Sequence, residues 1–563
     1  MRRVLSGLVL AGALVCVAAS AQAQRPAAAD TVIWGGPIYT DDDTRPKVEA
    51  VAVRAGRVIY AGDRSGAMAL RGTQTQVIDL HGATMFPGFT DAHAHLREIG
   101  ERELTLSLEG SASLAEAMQR LKARAASTPK GQFIYGVNWI ETHWPEARFP
   151  TRQDLDAVAP DNPVVLERSD GHAKVANSMA LKLAGITRDT QPPFGGQILK
   201  DKAGEPTGML VDSAMELIDK ITPPTTEARK VEEYRAAFKV YSAYGWTGMH
   251  NLDVQYADIP IIEGFDTRGE APLKVYNAVD WRDAKRFLAD GPRATPDGRV
   301  TTRMIKFFMD GSLGSRGAAL LAPYSDDPGN VGFQQMKEAD VLPIWEEALR
   351  NGVQVATHAI GDRGNRMALD WYEDAFKAVP PSERKVNPPR WRIEHAQIVD
   401  PVDIPRFAKL GIIPSMQASH AIGDFYFAPK RLGEARLKGA YAWKSFIQAG
   451  SIVPGGTDAP VERGDPRIEF YAAITRRSLD GFQTPQWHPE EAVDRATALK
   501  MYTLWPAYAS FRENELGMIK PGYRADFTVF DTDFMTADPK AILKAKAMMT
   551  MLDGKVAYRA AGF

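Results

Sequence analysis

The amino-acid sequence predicts an α/β protein: a (β/α)8 barrel, a small β-domain split between the two ends of the chain, and an insertion over the barrel mouth. Three observations carry that expectation. Short apolar runs ending in polar residues alternate with amphipathic helical stretches through the middle of the chain. Runs of β-branched residues separated by turn residues occur near both ends. Residue types that ligate metals fall at the polar ends of the predicted strands, where a barrel keeps its chemistry.

In chain order, Met1-Arg2-Arg3 is a short cationic start, followed by an apolar stretch to residue 19 and the small-x-small site "AQA" at Ala21 to Ala23. Residues 1–23 therefore read as a secretory signal peptide, and the expected location is outside the cytoplasm, in the periplasm. The single cysteine, Cys16, lies within that segment, so the mature chain has no disulfide and no thiolate ligand. Residues 24–86 carry "TVIWGGPIYTDDD" and "VEAVAVRAGRVIYAGD", an antiparallel pattern. Its counterpart lies in residues 510–563, in "GMIKPGYRADFTVFDTD" and "MMTMLDGKVAYRAAGF". The two parts are expected to make one domain.

Residues 87–509 form the expected barrel. Its candidate strands are "ATMFPGFTDAHAH", "QFIYGVNW", "GWTGMHNL", "RMIKFFMDG", "VQVATHAIG", "WRIEHAQ", "GIIPSMQ" and "SIVPGGTD". Between them, Ser113 and Glu116 form a capping box that opens a helix. Val231, Tyr234, Phe238 and Tyr241 keep helical spacing until Gly245 stops it, and Ala368, Trp371, Tyr372 and Ala375 make a further apolar stripe. An insertion of about 144–224 interrupts the second crossover and contains another strand-like run, "NPVVLERSDGH". An open doubly wound sheet is the alternative fold, and it leaves the split β-domain unexplained.

Composition narrows the partners. Loss of Arg2 and Arg3 with the signal takes Lys+Arg from 68 to 66 against 70 Asp+Glu, a formal charge of −4. That balance offers nothing to a nucleic acid or a membrane surface, and no later apolar run reaches spanning length. A small-molecule substrate is the expected partner.

The candidate site starts with "DAHAH". In a strand, His93 and His95 point to the same side, about 7 Å apart by backbone rise, and can close on one metal ion. His358 ends the fifth predicted strand, His395 the sixth and Asp458 the eighth, while Lys306 lies among apolar residues of the fourth. Each has a plain alternative: a satisfied core histidine, a helix cap at Asp458, a Lys306–Asp310 pair. Jointly they occupy strands one, four, five, six and eight of one barrel.

The segments "FPGFTDAHAHL", "IKFFMDGSLGSR", "THAIGDRGN", "RIEHAQ" and "GGTDAP" resemble the amidohydrolase superfamily, in its amidohydrolase family 3 branch, which includes N-substituted formamide deformylase. The resemblance covers nearly the whole mature chain. It implies a distorted (β/α)8 TIM-like barrel with a small split β-sandwich domain. It also implies that His93 and His95 bind one metal, that His358 and His395 bind a second, and that Lys306 bridges the two as a carboxylated lysine. Asp458 would bind the first metal and take a proton from the attacking water. His172, in "SDGHAKVANS", matches a segment the branch uses near its pocket and is a candidate to polarise the substrate carbonyl. Arg316 is a candidate to hold an anionic substrate group, with a plain salt bridge as the other reading. His250 is expected to be structural and His420 to lie at the surface or mouth.

An imidazole and carboxylate set suits zinc, and the resemblance implies two ions per chain. Bound metal lowers the pKa of water toward ~7 and polarises a carbonyl. The expected activity is hydrolysis of a non-peptide C–N bond in an amide, formamide or carbamate. A lactonase or esterase on the same site, or an exported binding protein without turnover, are the alternatives.

Overall fold

The computed structural model describes residues 28–563, so the expected signal peptide, residues 1–23, lies outside the described residues. Eight parallel strands form the barrel: Phe89–Ala94, Trp246–Val254, Lys274–Asp280, Val300–Phe308, Gln354–Ala359, Arg392–His395, Ile413–Gln417 and Gly455–Gly456. The first and last strands meet through backbone bonds from Thr457 N (3.2 Å) and Asp458 N (2.6 Å) to the His93 carbonyl. Asp91 reinforces this seam by accepting from Thr457 N at 2.9 Å and from the Thr457 hydroxyl at 2.6 Å. A side chain at Gly456 would sit 2.5 Å from His93 N, so only glycine lets the strands close here.

One of the eight candidate strands is corrected, and one barrel strand lies outside the eight. "QFIYGVNW" is a strand, Ile134–Trp139, but it belongs to a separate six-stranded sheet that starts at Leu106–Ser107 and ends with Gly196–Lys200 and Pro206–Asp212. The third barrel strand is Lys274–Asp280, "KVYNAVD". Its apolar alternation is masked because buried Lys274, Tyr276 and Asn277 are each hydrogen-bonded: Tyr276 to Gln354 at 3.0 Å, and Asn277 to Asn251 at 3.0 Å. An apolar run tells that a strand exists but not which sheet takes it. The extra sheet packs on its own apolar core, around Leu121, Trp139, Leu155 and Leu166.

The local signals behave as read. Ser113 caps the helix Leu114–Ser127 by accepting from Glu116 N, while the return bond to the Glu116 carboxylate comes from one residue before the cap, Ala112 N at 2.9 Å. The helix Glu227–Tyr244 stops at Gly245, which takes φ 112°. Ala368, Tyr372 and Ala375 are buried on the helix Asp362–Ala378. Strands from both chain ends share one eight-stranded sheet, in which Thr84–Pro87 pairs with Phe527–Phe530. Ile33, Val51, Met85, Phe527 and Met549 share its core. Among the described residues, no helix is long and apolar enough to cross a membrane.

Candidate metal centre and active site

The C-terminal strand ends converge. His93 and His395 each have a ring nitrogen, and Asp458 a carboxylate oxygen, within 4.8 Å of one another, and all three residues are buried. His95 Nε2 is 3.1 Å from Asp458 Oδ1, and His93 Nε2 is 3.2 Å from the same oxygen. Lys306 Nζ lies 3.4 Å from His93 Nε2. His358 is one ring further out, its centroid 4.7 Å from that of His395.

Three of the imidazoles are aimed by a bond on Nδ1, whereas His358 approaches the Gly311 carbonyl through Nε2, at 3.4 Å. His93 Nδ1 meets Glu394 Oε2 at 2.6 Å, His95 Nδ1 meets the Leu252 carbonyl at 3.1 Å, and His395 Nδ1 meets Gln417 Oε1 at 2.9 Å. Those acceptors put the proton on Nδ1 and leave Nε2 as a lone pair, the form a metal needs. Arg392 holds Glu394 in turn through an ion pair at 2.7 Å, and it also donates to His250 Nδ1 at 2.7 Å. In a strand of alternating sides, His395 would face away from its neighbour Glu394. It turns to the centre because its backbone leaves the strand with φ 72°, and Asp458 does the same with φ 57°.

Burial favours the neutral form of His93, His358 and His395, and lowers all three pKa values. Burial also pushes the Lys306 ammonium down, although Glu394 and Asp458 oppose it. Burial raises Asp458, but the surrounding imidazoles outweigh that and hold it well below the usual carboxylate range. His95 differs from the other three: burial lowers its pKa, but the hydrogen bond and charge of Asp458 more than reverse this and raise it.

A sequence profile of the amidohydrolase family matches residues 76–558. The chain belongs to that family. It is 35% identical over 539 residues to the putative amidohydrolase YtcJ of Bacillus subtilis, covering 93% of this chain and 99% of that protein. It is 28% identical to the N-substituted formamide deformylase of Arthrobacter pascens, covering 95% and 99%. A metal-dependent hydrolase from Pyrococcus horikoshii has the same fold, with TM-score 0.72, 28% identity, and 90% and 99% of the two chains covered. The protein is a metal-dependent amidohydrolase, a hydrolase acting on C–N bonds. The donor set fits a divalent metal: nitrogen and carboxylate donors, buried, with free lone pairs converging.

In this amidohydrolase two cavities meet at the centre. The larger, about 450 Å³, is walled by apolar residues such as Leu313, Ile422, Phe427 and Leu479. The smaller, about 250 Å³, lies on the side of His95, Asp253 and Lys306. Both include His172, His358, His395 and Asp458. His172 arrives from the inserted sheet and bonds Asp212 at 2.5 Å. Burial lowers the pKa of His172, but the charge and hydrogen bond of Asp212 more than reverse this and push it up to about 9.

The structure thus gathers His93, His95, Lys306, His358, His395, Asp458 and His172. Arg316 is not brought to them: it pairs with Asp326 at 3.0 Å, the plain salt bridge of its two readings, and lines neither of these cavities. Asp310 does not compete with Lys306, because its carboxylate accepts from the backbone of Ala319, Ile360 and Gly361 at 2.8–2.9 Å. His420 lies at the mouth, the second of its two expected places. It is buried in the larger cavity, its ring stacked on His395 at 5.8 Å. Sequence reading also passed over Glu394, Arg392 and Gln417. A signal was present, since "RIE" sets two opposite charges at alternate positions of a four-residue buried strand, which only a mutual pair explains.

Proposed function

We propose that this amidohydrolase is an exported enzyme that hydrolyses the C–N bond of an N-substituted formamide or a related amide or carbamate, with two zinc ions. The observation that carries the reading is the convergence of His93, His395 and the Asp458 carboxylate, with Nδ1 of His93, His95 and His395 each anchored by an acceptor. The formamide class is favoured by the similarity to N-substituted formamide deformylase along nearly the full length of both chains.

His93 and His95 with Asp458 would hold one ion, and His358 and His395 the other. Lys306, after reaction of its neutral amine with carbon dioxide, would contribute a carbamate oxygen to each. The lowered Lys306 pKa supplies the neutral amine that reaction consumes. The metal, when bound, makes water nucleophilic near neutral pH and polarises the carbonyl. Asp458 then accepts the proton of the attacking water and delivers it to the departing nitrogen. Protonated His172, fixed by Asp212, donates to the carbonyl oxygen as negative charge grows there. The apolar cavity wall receives the nitrogen substituent or the acyl chain.

The purified protein should contain two equivalents of zinc and release amine and carboxylic acid in equal amounts from N-substituted formamides and acyl amides, or amine, alcohol and carbon dioxide from carbamates. Turnover of lactones alone would overturn the C–N assignment. Export predicts a mature amino terminus at or near Gln24; recovery of intact protein beginning at Met1 in the cytoplasm contradicts it.

A further inference from the structure

The larger cavity opens onto a rim that is apolar where a protein surface is ordinarily polar. Among the described residues, nine large apolar side chains are exposed, and three of them gather at this opening: Tyr426 at 41%, Leu479 at 50% and Phe482 at 50%. Tyr426 and Leu479 line the cavity itself, and Phe482 shares a turn with Leu479. Single exposed apolar residues are normal, but a group of them at the mouth of a cavity marks a binding surface.

The rim is held in place without burying these side chains. In the turn at residues 478–482, Gly481 N donates to the Ser478 carbonyl at 2.8 Å, Ser478 N to the Phe482 carbonyl at 3.1 Å, and Phe482 N to the Ser478 hydroxyl at 2.9 Å. Tyr471 fastens the turn to the helix Pro466–Thr475 by donating to the Ser478 carbonyl at 3.0 Å. Polar residues would serve such a turn equally well, so its geometry does not explain Leu479 and Phe482. The opposite side of the rim follows the helix Ala418–Asp424. There Phe425 packs edge-on against Phe482, ring centroids 4.8 Å apart, and meets Tyr426 at 5.4 Å. One apolar surface thus runs from the rim past Ile422 and Phe427 into the cavity that also includes His395 and Asp458.

We propose that the substrate carries on its nitrogen a long apolar chain, which fills the larger cavity and continues over the rim of Tyr426, Leu479 and Phe482. This rests on the formamide reading above. In a formamide the acyl part is a single hydrogen, so whatever occupies the cavity is the nitrogen substituent. The smaller cavity is lined by Glu98, Glu101, Glu167 and Asp253, which leaves the larger one for an apolar chain. An anionic tail finds no free arginine in the larger cavity. Arg168 is bound to Glu141 at 2.9 Å and Arg463 to Glu109 at 3.2 Å, while Asp424 and Glu462 add negative charge. Covering the half-exposed rim side chains gives a chain that reaches the rim an advantage over a short one.

The test measures kcat/KM for N-butyl, N-octyl and N-dodecyl formamide, each kept below its micellar concentration. The metal-loaded wild type is compared with Phe482→Ser and Tyr426→Ser, which lie on opposite sides of the rim. For wild type, kcat/KM should rise along the series by up to about fourfold per added methylene, chiefly through a lower KM. Each variant should cut the dodecyl-to-butyl ratio by about 3- to 10-fold, the share that half of an aromatic side chain's burial supplies. A ratio near one for wild type, or an unchanged ratio in both variants, overturns the proposal while leaving formamide hydrolysis standing. So does a gain seen only when the substrate is carried in vesicles, because the rim is then a membrane contact. A dimer that Phe482→Ser dissociates overturns it as well, by giving the rim to a second copy of the chain. Faster turnover of a chain ending in ammonium than of the same chain ending in methyl also overturns it, because the lining carboxylates then set the choice. If metal-loaded wild type turns over none of these formamides, the formamide reading itself falls.

Discussion

Two buried lysines on adjacent barrel strands behave in opposite ways. Lys274, at the start of the third strand, touches both oxygens of Asp526 at 2.8 and 2.7 Å and Asp553 at 2.9 Å. Lys306, near the end of the fourth, is 1% exposed and has His93 Nε2 as its polar neighbour at 3.4 Å. At the bottom of the barrel a buried charge is fully paired and ties the barrel to the β-domain, whose Asp526 and Asp553 flank the strands Phe527–Phe530 and Ala547–Leu552. At the top, a buried amine is left poorly matched. Burial of a charge is tolerable only with partners, so the first arrangement is what structural roles look like and the second is a position built for chemistry.

Substitution at the top should have the largest effect. Asp458→Asn keeps the shape but cannot accept the proton, and kcat should fall by about 10²–10⁴-fold, measured by amine release. Lys306→Met should lower kcat by at least about 10²-fold and reduce bound zinc. After chelation it should melt no lower than the wild type, because an apolar chain replaces an ill-paired amine. A clear fall in that melting temperature would erase the contrast.

The bottom lysine should show the reverse. Lys274→Met leaves the Asp526 carboxylate buried without its cation, while Asp553 keeps Arg299 and Arg524, and should cost about 3–5 kcal/mol, read from denaturation, with kcat per folded molecule unchanged. Loss of catalysis at full stability would mean that the two faces are coupled.

A pH profile sharpens the account of the top face. His172 must be protonated to donate, and its pKa is about 9, so kcat/KM should fall as pH rises through about 9. The same pair stabilises the fold: with the pKa raised from 6.5, the contribution is complete below about 6.5 and lost as pH rises through about 9. Asp212→Asn removes the charge and should move the alkaline limb down by at least about one unit. The smallest effect is expected at Arg316→Ala, which loses a partly exposed ion pair with Asp326 and should change stability by less than about 1 kcal/mol and KM not at all.

The local chemistry of these sites determines how legible they were. His93 and His95 were readable because period two places both on one face, and "PGGTD" because glycine and a carboxylate at a strand end serve closure and chemistry together. The third barrel strand was not, since its buried Lys274 and Asn277 are satisfied by residues up to 279 positions away, which no local pattern records. Glu394 and Gln417 act through other side chains; each is visible only once the fold brings distant segments together.

The seam between the first and last barrel strands has a consequence for the order of events during synthesis. His93 and Asp458 are joined by backbone as well as side-chain bonds, yet 365 residues separate them in the chain. A nascent polypeptide can form the inserted sheet, with its own core, long before then. The catalytic centre has no such early version. It cannot assemble until Asp458 has left the ribosome, and the sheet that braces the barrel needs the later strand Ala547–Leu552 as well. High sequence separation of this kind slows folding. The nearly complete chain thus emerges with its ligands still apart, and metal capture belongs among the last steps of maturation.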